Sequence, residues 1–224
     1  MLGMNATVEA FRMLKTYLSE LDLSALLQGI GAIWVAVVAT IALRTWRKQL
    51  HAEKQLAFID ELTDTVHEFI LLMASPTTQL EFAQVGIEAH KGVAFGFEQY
   101  EHGAAIAYIT KAGKDTSARL FESLAKVKPV LGKMRALVVK GQVLGFPDYP
   151  RCQNACQLLG WTHDHIEAFA AILANGNLNW ENPVVQQSLS SLPKFDPHRV
   201  RTTLQEQNAE FIQFAKQAYE KATR

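Results

Sequence analysis

The side chains best suited to metal chemistry are two cysteines and two histidines within one stretch of 14 residues, Cys152, Cys156, His163 and His165. Thiolates and imidazoles are the ligands that zinc prefers, so this stretch supplies four suitable donors. Cysteines four positions apart share one face of a helix, whereas histidines two positions apart point about 200° away from each other. The four donors therefore do not readily fit one tetrahedron. We expect no metal site, and the candidate ligands are Cys152, Cys156 and His163.

A second group of polar residues combines histidines with carboxylates: Asp64 with His67, and Glu98 and Glu101 with His102. Di-iron bundles use two Glu-x-x-His pairs and two further glutamates from four helices, but this chain has a single Asp-x-x-His. A solvated helix face explains these side chains. The alternative is a polar ligand pocket around His67, Glu98 and His102.

The common catalytic and nucleotide-binding motifs are missing from this sequence. It lacks a phosphate-binding G-x-x-x-x-G-K-[ST] loop, a G-x-S-x-G nucleophile elbow, an H-E-x-x-H zinc motif and a G-x-G-x-x-G loop. We therefore predict no catalytic residues and no cofactor. With 22 basic and 22 acidic residues, the chain has no net charge to attract a nucleic acid, so none is expected as a partner.

An uncharged run from Leu23 to Leu43 indicates where the protein is located. Its 21 residues would form a helix about 32 Å long, close to the hydrocarbon thickness of a bilayer. A cleaved signal peptide is one alternative, but 22 residues of mixed charge precede the run, whereas such signals begin with a short basic segment. A core helix is the other, but 21 uncharged positions exceed what one core helix needs. The pattern predicts a transmembrane helix over residues 23–43.

The run is followed at once by Arg44, Arg47 and Lys48, with Trp46 at the expected headgroup level. Cytoplasmic flanks carry the excess of Lys and Arg. We therefore expect a single pass through the inner membrane, with the N-terminus outside and residues 44–224 in the cytoplasm. The four residues form the predicted membrane interface, and the lipid bilayer is a predicted partner. Cytoplasmic cysteines are expected to be reduced thiols.

Small residues spaced by four, Ala32, Ala36 and Thr40, lie along one face of the predicted span. Such spacing permits close approach of a second helix, so this is the predicted face for self-association. Ahead of the span, residues 1–22 have apolar positions at three- and four-residue steps. This pattern predicts a short amphipathic segment outside the cytoplasm, on the outer membrane surface.

Residues 44–75 are predicted to form a juxtamembrane stalk helix. Apolar residues there follow a 3-4-3-4 spacing, at Ile59, Leu62, Val66, Phe69 and Met73. The stalk is predicted to end at Ser75-Pro76, because the residue before a proline disfavours the α conformation. Two heptads of this kind suit either a seam within an intramolecular bundle or a short coiled coil between protomers.

Residues 76–224 are predicted to form a cytoplasmic helical domain that packs with the stalk. Predicted helices cover residues 78–111, 115–140, 151–174, 183–191 and 198–222. Four glycines in the first of these predict a break near Gly92. The predicted fold is thus all-α, with one N-terminal transmembrane helix that continues into a cytoplasmic bundle of about five helices.

In this architecture, and in the stretch from Trp46 to Gln49, the chain resembles the uncharacterised bacterial single-span membrane proteins that carry a cytosolic helical domain. The resemblance covers roughly residues 25–75 and implies no activity. The leading hypothesis is a membrane-anchored helical module, without catalysis, that oligomerises or recruits a protein partner at the cytoplasmic face. The alternatives are a ligand- or metal-binding sensor or enzyme with a polar site in the bundle, and an effector that perturbs the membrane on assembly.

Overall fold

A computed structural model of the chain describes residues 9, 12, 13, 15, 23–92, 96–97, 99–192 and 195–223. The elements in chain order are α1 (Leu23–Ala89), α2 (Gly103–Tyr108), a π-helical turn π1 (Ile109–Gly113), α3 (Lys114–Gly141), α4 (Tyr149–Leu173), α5 (Pro183–Ser191) and α6 (Pro197–Ala222). The all-α prediction is confirmed, since the regular elements in this part of the chain are all helical. Most of the predicted amphipathic segment 1–22 lies outside the described residues.

α1 is 67 residues long and contains Pro76. The predicted stop at Ser75-Pro76 is wrong, because the helix continues to Ala89. A proline inside a helix removes one backbone hydrogen bond and costs about 3 kcal/mol. Met73 and Thr77, on either side of the proline, are nearly fully buried, and the Thr77 hydroxyl donates to the Met73 carbonyl at 2.8 Å. Tertiary packing here outweighs the local preference for a stop.

The chain turns between α1 and α2, and the turn contains the break predicted near Gly92. Gly92 and Gly96 both have φ of +82°, a left-handed conformation that glycine adopts without a steric penalty. The predicted helix over residues 78–111 is wrong as a unit. Its first part belongs to α1, and its last part belongs to α2 and π1.

α2, π1 and α3 follow one another without a loop, so helical structure runs from Gly103 to Gly141. The π-turn packs against the C-terminal end of α4. A methyl group on Gly113 would lie only 2.4 Å from the carbonyl oxygen of Leu173. The predicted helix over residues 115–140 corresponds to α3, which begins one residue earlier and accommodates Pro129.

The last three helices lie where the sequence predicts them, and two of them begin with a capped proline. Asn182 precedes α5 and Asp196 precedes α6, and each side-chain oxygen accepts a hydrogen bond at 2.9 Å from the backbone N–H two residues on. Pro183 and Pro197 then occupy the first helical turn, where a missing N–H has no cost. α5 has the predicted bounds, and α6 begins one residue earlier than predicted.

The apolar seam of the predicted stalk is buried. Its five residues are each at most 1% exposed: Ile59, Leu62, Val66, Phe69 and Met73. They share one hydrophobic core with residues of the other helices. The seam therefore belongs to an intramolecular bundle, and it has no exposed surface left for a coiled coil between protomers.

Ion pairs between neighbouring helices show how the four long helices are ordered around this core. The pairs are Glu61–Lys133 between α1 and α3 (3.4 Å), Arg135–Asp164 between α3 and α4 (2.6 Å), Arg151–Glu210 between α4 and α6 (2.5 Å), and Arg201–Glu81 between α6 and α1 (2.5 Å). Exposed pairs of this kind contribute about 1 kcal/mol or less each. They identify neighbours in a ring of α1, α3, α4 and α6, while the hydrophobic core stabilises it.

The chain divides into two compact units, residues 1–53 and residues 54–224. The first unit contains the predicted span. The second contains the hydrophobic core and the four ion pairs.

Candidate functional site

Residues 27–43, the anchor segment, place large apolar side chains on the surface of α1. Nine such side chains are between 45% and 70% exposed: Leu27, Ile30, Ile33, Trp34, Val35, Val37, Val38, Ile41 and Leu43. Burying one side chain of this size is worth about 1.5 to 3 kcal/mol, and this segment gains none of that from the protein. α1 is long and apolar enough to cross a membrane. An 18-residue window of this helix has a mean hydropathy of 1.7, and 0% of that window is buried.

The hydroxyl groups in and beside the anchor segment are satisfied by the helix itself. Thr40 donates to the carbonyl of Ala36 at 2.7 Å, and Thr45 donates to the carbonyl of Ile41 at 3.0 Å. In a hydrocarbon environment an unsatisfied polar group costs several kcal/mol. These two threonines therefore suit an apolar surrounding better than their residue type alone suggests.

The predicted self-association face and membrane interface are both exposed. Ala32, Ala36 and Thr40 occupy successive turns on one side of α1 and carry only small side chains. Beyond them, the four residues of the predicted interface are helical and exposed: Arg44, Trp46, Arg47 and Lys48. The basic groups and the indole therefore lie on the surface of α1.

The predicted polar pocket is not assembled by the described residues. His67 is exposed on α1, and His102 is half-buried at the residue before α2. Glu98 lies outside the described residues. No hydrogen bond or ion pair joins His67 to His102 in the part of the chain that the structure describes.

The two cysteines are buried side by side on α4 as free thiols. A hydrogen bond with Cys156, together with burial, raises the pKa of the Cys152 thiol well above its usual range. Burial and the same two sulfur atoms raise the pKa of Tyr149, whose hydroxyl donates to the carbonyl of Val138 at 2.6 Å. Because the thiolate is the form that reacts and binds metals, Cys152 is held in its unreactive form.

His163 belongs to a different cluster. Among the described residues, the group of possible metal ligands within 4.8 Å of one another consists of His163, Asp164 and Glu167, without either cysteine. Both carboxylates already have cationic partners: Arg135 lies 2.6 Å from Asp164, and Lys128 lies 2.7 Å from Glu167. Because both carboxylates are already paired with cations, a structural role is favoured for this cluster.

The His163 imidazole is 1% exposed, with Nδ1 3.2 Å from Oδ1 of Asp164. Its Nε2 is one of two buried side-chain polar atoms without a partner among the described residues. His165, two residues later, has another environment altogether. The opposite directions expected for these two histidines on one helix are therefore confirmed.

His165 lies between two aromatic rings at the surface of the bundle. The Trp161 ring stacks on it at a centroid distance of 4.6 Å, and the Phe195 ring stacks on its other face at 4.1 Å. Burial, and to a smaller extent the charge of Arg199, lowers the pKa of His165. This stack was not predicted from the sequence. The Trp-x-x-x-His spacing on α4 was a usable signal, but nothing local pointed to Phe195.

A groove of about 480 Å³ lies on the other side of Trp161, between α3 and α4. Arg135, Gln153 and Gln157 line it together with apolar side chains. Gly160 lies close to α3, since a methyl group there would lie 3.2 Å from Cδ1 of Leu131 and 3.4 Å from a terminal nitrogen of Arg135. Asp164 already pairs with the Arg135 guanidinium group in this groove. The groove therefore has no unpaired charge among its described lining residues that would mark it as a reactive centre.

Comparison with models of protein families, with curated proteins and with solved structures finds no match to this chain.

Proposed function

We propose that this chain is a single-pass membrane protein whose helical bundle serves, without catalysis, as an interaction and oligomerisation module at the cytoplasmic face. One observation carries the proposal: the apolar window of α1 is 0% buried. A core helix of a soluble protein would bury such a window against its own fold. The observation therefore favours a lipid bilayer as the environment of this apolar window.

The course of α1 supports a retained anchor over a cleaved signal. The helix continues without interruption from the anchor segment to Ala89. A signal peptide has an apolar stretch of about 7 to 15 residues followed by a small-residue cleavage site. Here Arg44 and the other basic residues follow directly, within the same helix.

The orientation follows from the charges at the two ends of the proposed span. Arg44, Arg47 and Lys48 lie within five residues after residue 43, and cytoplasmic flanks carry such an excess. This supports a cytoplasmic location for the bundle and an outside location for the N-terminus.

The described polar side chains of the bundle support a role in assembly. Arg135 and Asp164 form an ion pair with each other, and Cys152 shares a hydrogen bond with Cys156. The ion pair joins α3 to α4, and the cysteine pair lies within α4. The groove near them offers a recognition surface whose charged side chains, Arg135 and Asp164, are paired with each other.

Membrane insertion is tested with a charge in the centre of the anchor segment. A lysine at a helix centre costs about 2.5 to 3.5 kcal/mol in membrane insertion, so Val35→Lys should move much of the full chain into the carbonate-soluble fraction. The matched control is Val139→Lys, because Val139 on α3 is 65% exposed and Val35 is 70% exposed. Carbonate extraction that releases the unmodified chain, or equal behaviour of the two variants, would contradict the anchor.

Orientation is tested with an impermeant maleimide on intact cells. We expect labelling of an Asn5→Cys variant, and labelling of a Thr223→Cys variant only after lysis. The native cysteines are buried and serve as an internal background. Labelling of residue 223 in intact cells would overturn the cytoplasmic assignment.

A further inference from the structure

α1 has a second apolar face within the bundle, on the side opposite to its buried seam. We call it the outer stripe, and it consists of Leu71, Ser75, Thr78, Phe82, Val85 and Ala89. All six residues are exposed, and the three large ones are 61%, 65% and 61% exposed, in the order Leu71, Phe82 and Val85. The steps between them are 4-3-4-3-4, which is the spacing of a coiled-coil seam.

The outer stripe is free of charge over 19 residues, which is about 28 Å of helix. Of its two hydroxyls, that of Thr78 is already satisfied, because it donates to the carbonyl of Ala74 at 3.0 Å. Upstream, the same face carries Asp64 and Glu68, which bound the uncharged surface on that side. A contiguous apolar face of this kind on a soluble bundle marks an interaction surface.

The two glutamates beside the outer stripe are each paired with a cation of the same chain. Glu81 is paired with Arg201 at 2.5 Å, and Glu88 is paired with Lys91 at 2.7 Å. Two identical acidic edges would repel each other if their charges were unpaired. With both carboxylates paired inside one chain, the surface can meet its own copy without that repulsion.

We propose that the outer stripe is the contact through which the bundle pairs with a second copy of this chain. The spacing fits another helix, and the small side chains at Ser75 and Thr78 allow that helix to approach closely beside Phe82. A twofold axis parallel to α1 brings Thr78 close to its own copy, as in an isologous interface, and leaves both anchor segments at the same end of the pair.

The size of the stripe links this pairing to the proposed function. Standard interfaces use about 20 to 30 residues on each side, and six residues are far fewer. Pairing through so small a surface depends on a raised local concentration, which confinement to a membrane supplies. The inference therefore rests on the proposed anchor.

The test is intermolecular cross-linking of the full chain in phosphatidylcholine–phosphatidylglycerol vesicles. A Thr78→Cys variant treated with a short bismaleimide should give a covalent dimer, about tenfold more than a Val139→Cys variant gives. Val139 is a fair control because it is exposed on α3, away from the stripe, and the native cysteines are buried. A dimer yield no higher than that of the control would overturn the pairing.

A charge on the stripe provides the second arm. In the Thr78→Cys background, Val85→Glu should lower the dimer yield about tenfold, because it buries a carboxylate without a partner. Val139→Glu should leave the yield unchanged, although the two valines are similarly exposed at 61% and 65%. Equal losses in the two variants would contradict an interface at the stripe.

Co-sedimentation with the vesicles separates the two proposals. Chain that stays with the vesicles but gives no dimer overturns the pairing and leaves the anchor standing. Chain that leaves the vesicles and still forms the dimer overturns the proposed anchor and supports the stripe as a contact.

Discussion

The anchor segment and the buried seam are both apolar parts of α1, and they differ completely in exposure. The nine large side chains of the anchor segment are 45% to 70% exposed, whereas the five side chains of the seam are at most 1% exposed. Their residue types are nearly the same, mainly Leu, Ile and Val with one or two aromatic residues. Residue type alone therefore does not show whether an apolar part of a helix is buried in the protein core or exposed on its surface.

The period of the apolar positions does distinguish them. The anchor segment is apolar on every side, which suits a surrounding that is apolar in every direction. The seam is apolar at three- and four-residue steps, which suits one neighbouring surface of protein. The outer stripe has this second period too, but its residues are exposed, which is why we propose a protein neighbour for the stripe and lipid for the anchor segment.

The largest expected effect in this comparison comes from removing a seam side chain. Phe69 is 0% exposed, so Phe69→Ala should lower the free energy of unfolding of the bundle by about 3 to 5 kcal/mol, through lost burial and a new cavity. Val35→Ala, in the anchor segment, should change it by less than about 0.5 kcal/mol. The measurement is urea-induced unfolding of the full chain in detergent, followed by circular dichroism. Similar effects of both substitutions would show that the anchor segment is part of the folded core.

A smaller effect is expected from filling a tight contact inside the bundle. A methyl group on Gly141 would lie 2.1 Å from the hydroxyl oxygen of Tyr149 and 2.5 Å from Cζ of Phe58. Gly141→Ala should therefore destabilise the bundle by about 1 to 3 kcal/mol through overpacking. Gly132→Ala is the matched control on the same helix, since nothing lies within 4 Å of the added methyl group.

The control should have the opposite sign. Alanine is favoured over glycine inside a helix by about 1 kcal/mol, so Gly132→Ala should stabilise the bundle in the same unfolding experiment. A destabilising Gly132→Ala, or a neutral Gly141→Ala, would mean that α3 packs differently from what the structure shows.

The sequence predicts much of the fold because periodicity and capping signals are local. α5 has the predicted bounds, since Asn182 and Pro183 define its start within two residues. The stop at Pro76 is wrong because a local rule competes with the burial of Met73 and Thr77, which depends on residues far along the chain. A penalty of about 3 kcal/mol is small beside the packing of several core side chains.

The sites were less predictable for the same reason. The cysteines lie on one face of α4, as the i, i+4 spacing implies, but the raised pKa of the Cys152 thiol comes from its hydrogen bond with Cys156 and from burial in the tertiary core, and sequence spacing does not report the burial. The pairing of Asp164 with Arg135 joins residues 29 positions apart, and no local pattern reports it. The outer stripe had a visible period, but only the burial of the opposite face shows which of the two faces is free.

The smallest expected effect concerns pH and the His165 stack. Burial between Trp161 and Phe195, with the charge of Arg199, lowers the folded-state pKa of His165 below its ordinary value of 6.5. The unfolded chain therefore binds the proton at higher pH than the folded chain does. The contribution of neutral His165 to stability is fully present above the unfolded-state pKa and is lost as the pH falls through the folded-state pKa.

A His165→Phe variant retains an aromatic ring in the stack but cannot titrate. Between about pH 8 and about pH 5, the free energy of unfolding of the unmodified chain should fall more steeply than that of the variant. A His67→Gln variant, at an exposed position of α1, serves as the control for the loss of one histidine. If His165→Phe and the unmodified chain give parallel pH profiles, the imidazole titrates equally in both states, and the stack does not keep it neutral. If the unmodified chain gains stability relative to the variant as the pH falls, the two rings instead stabilise the cationic form, and Arg199 must lie too far away to oppose it.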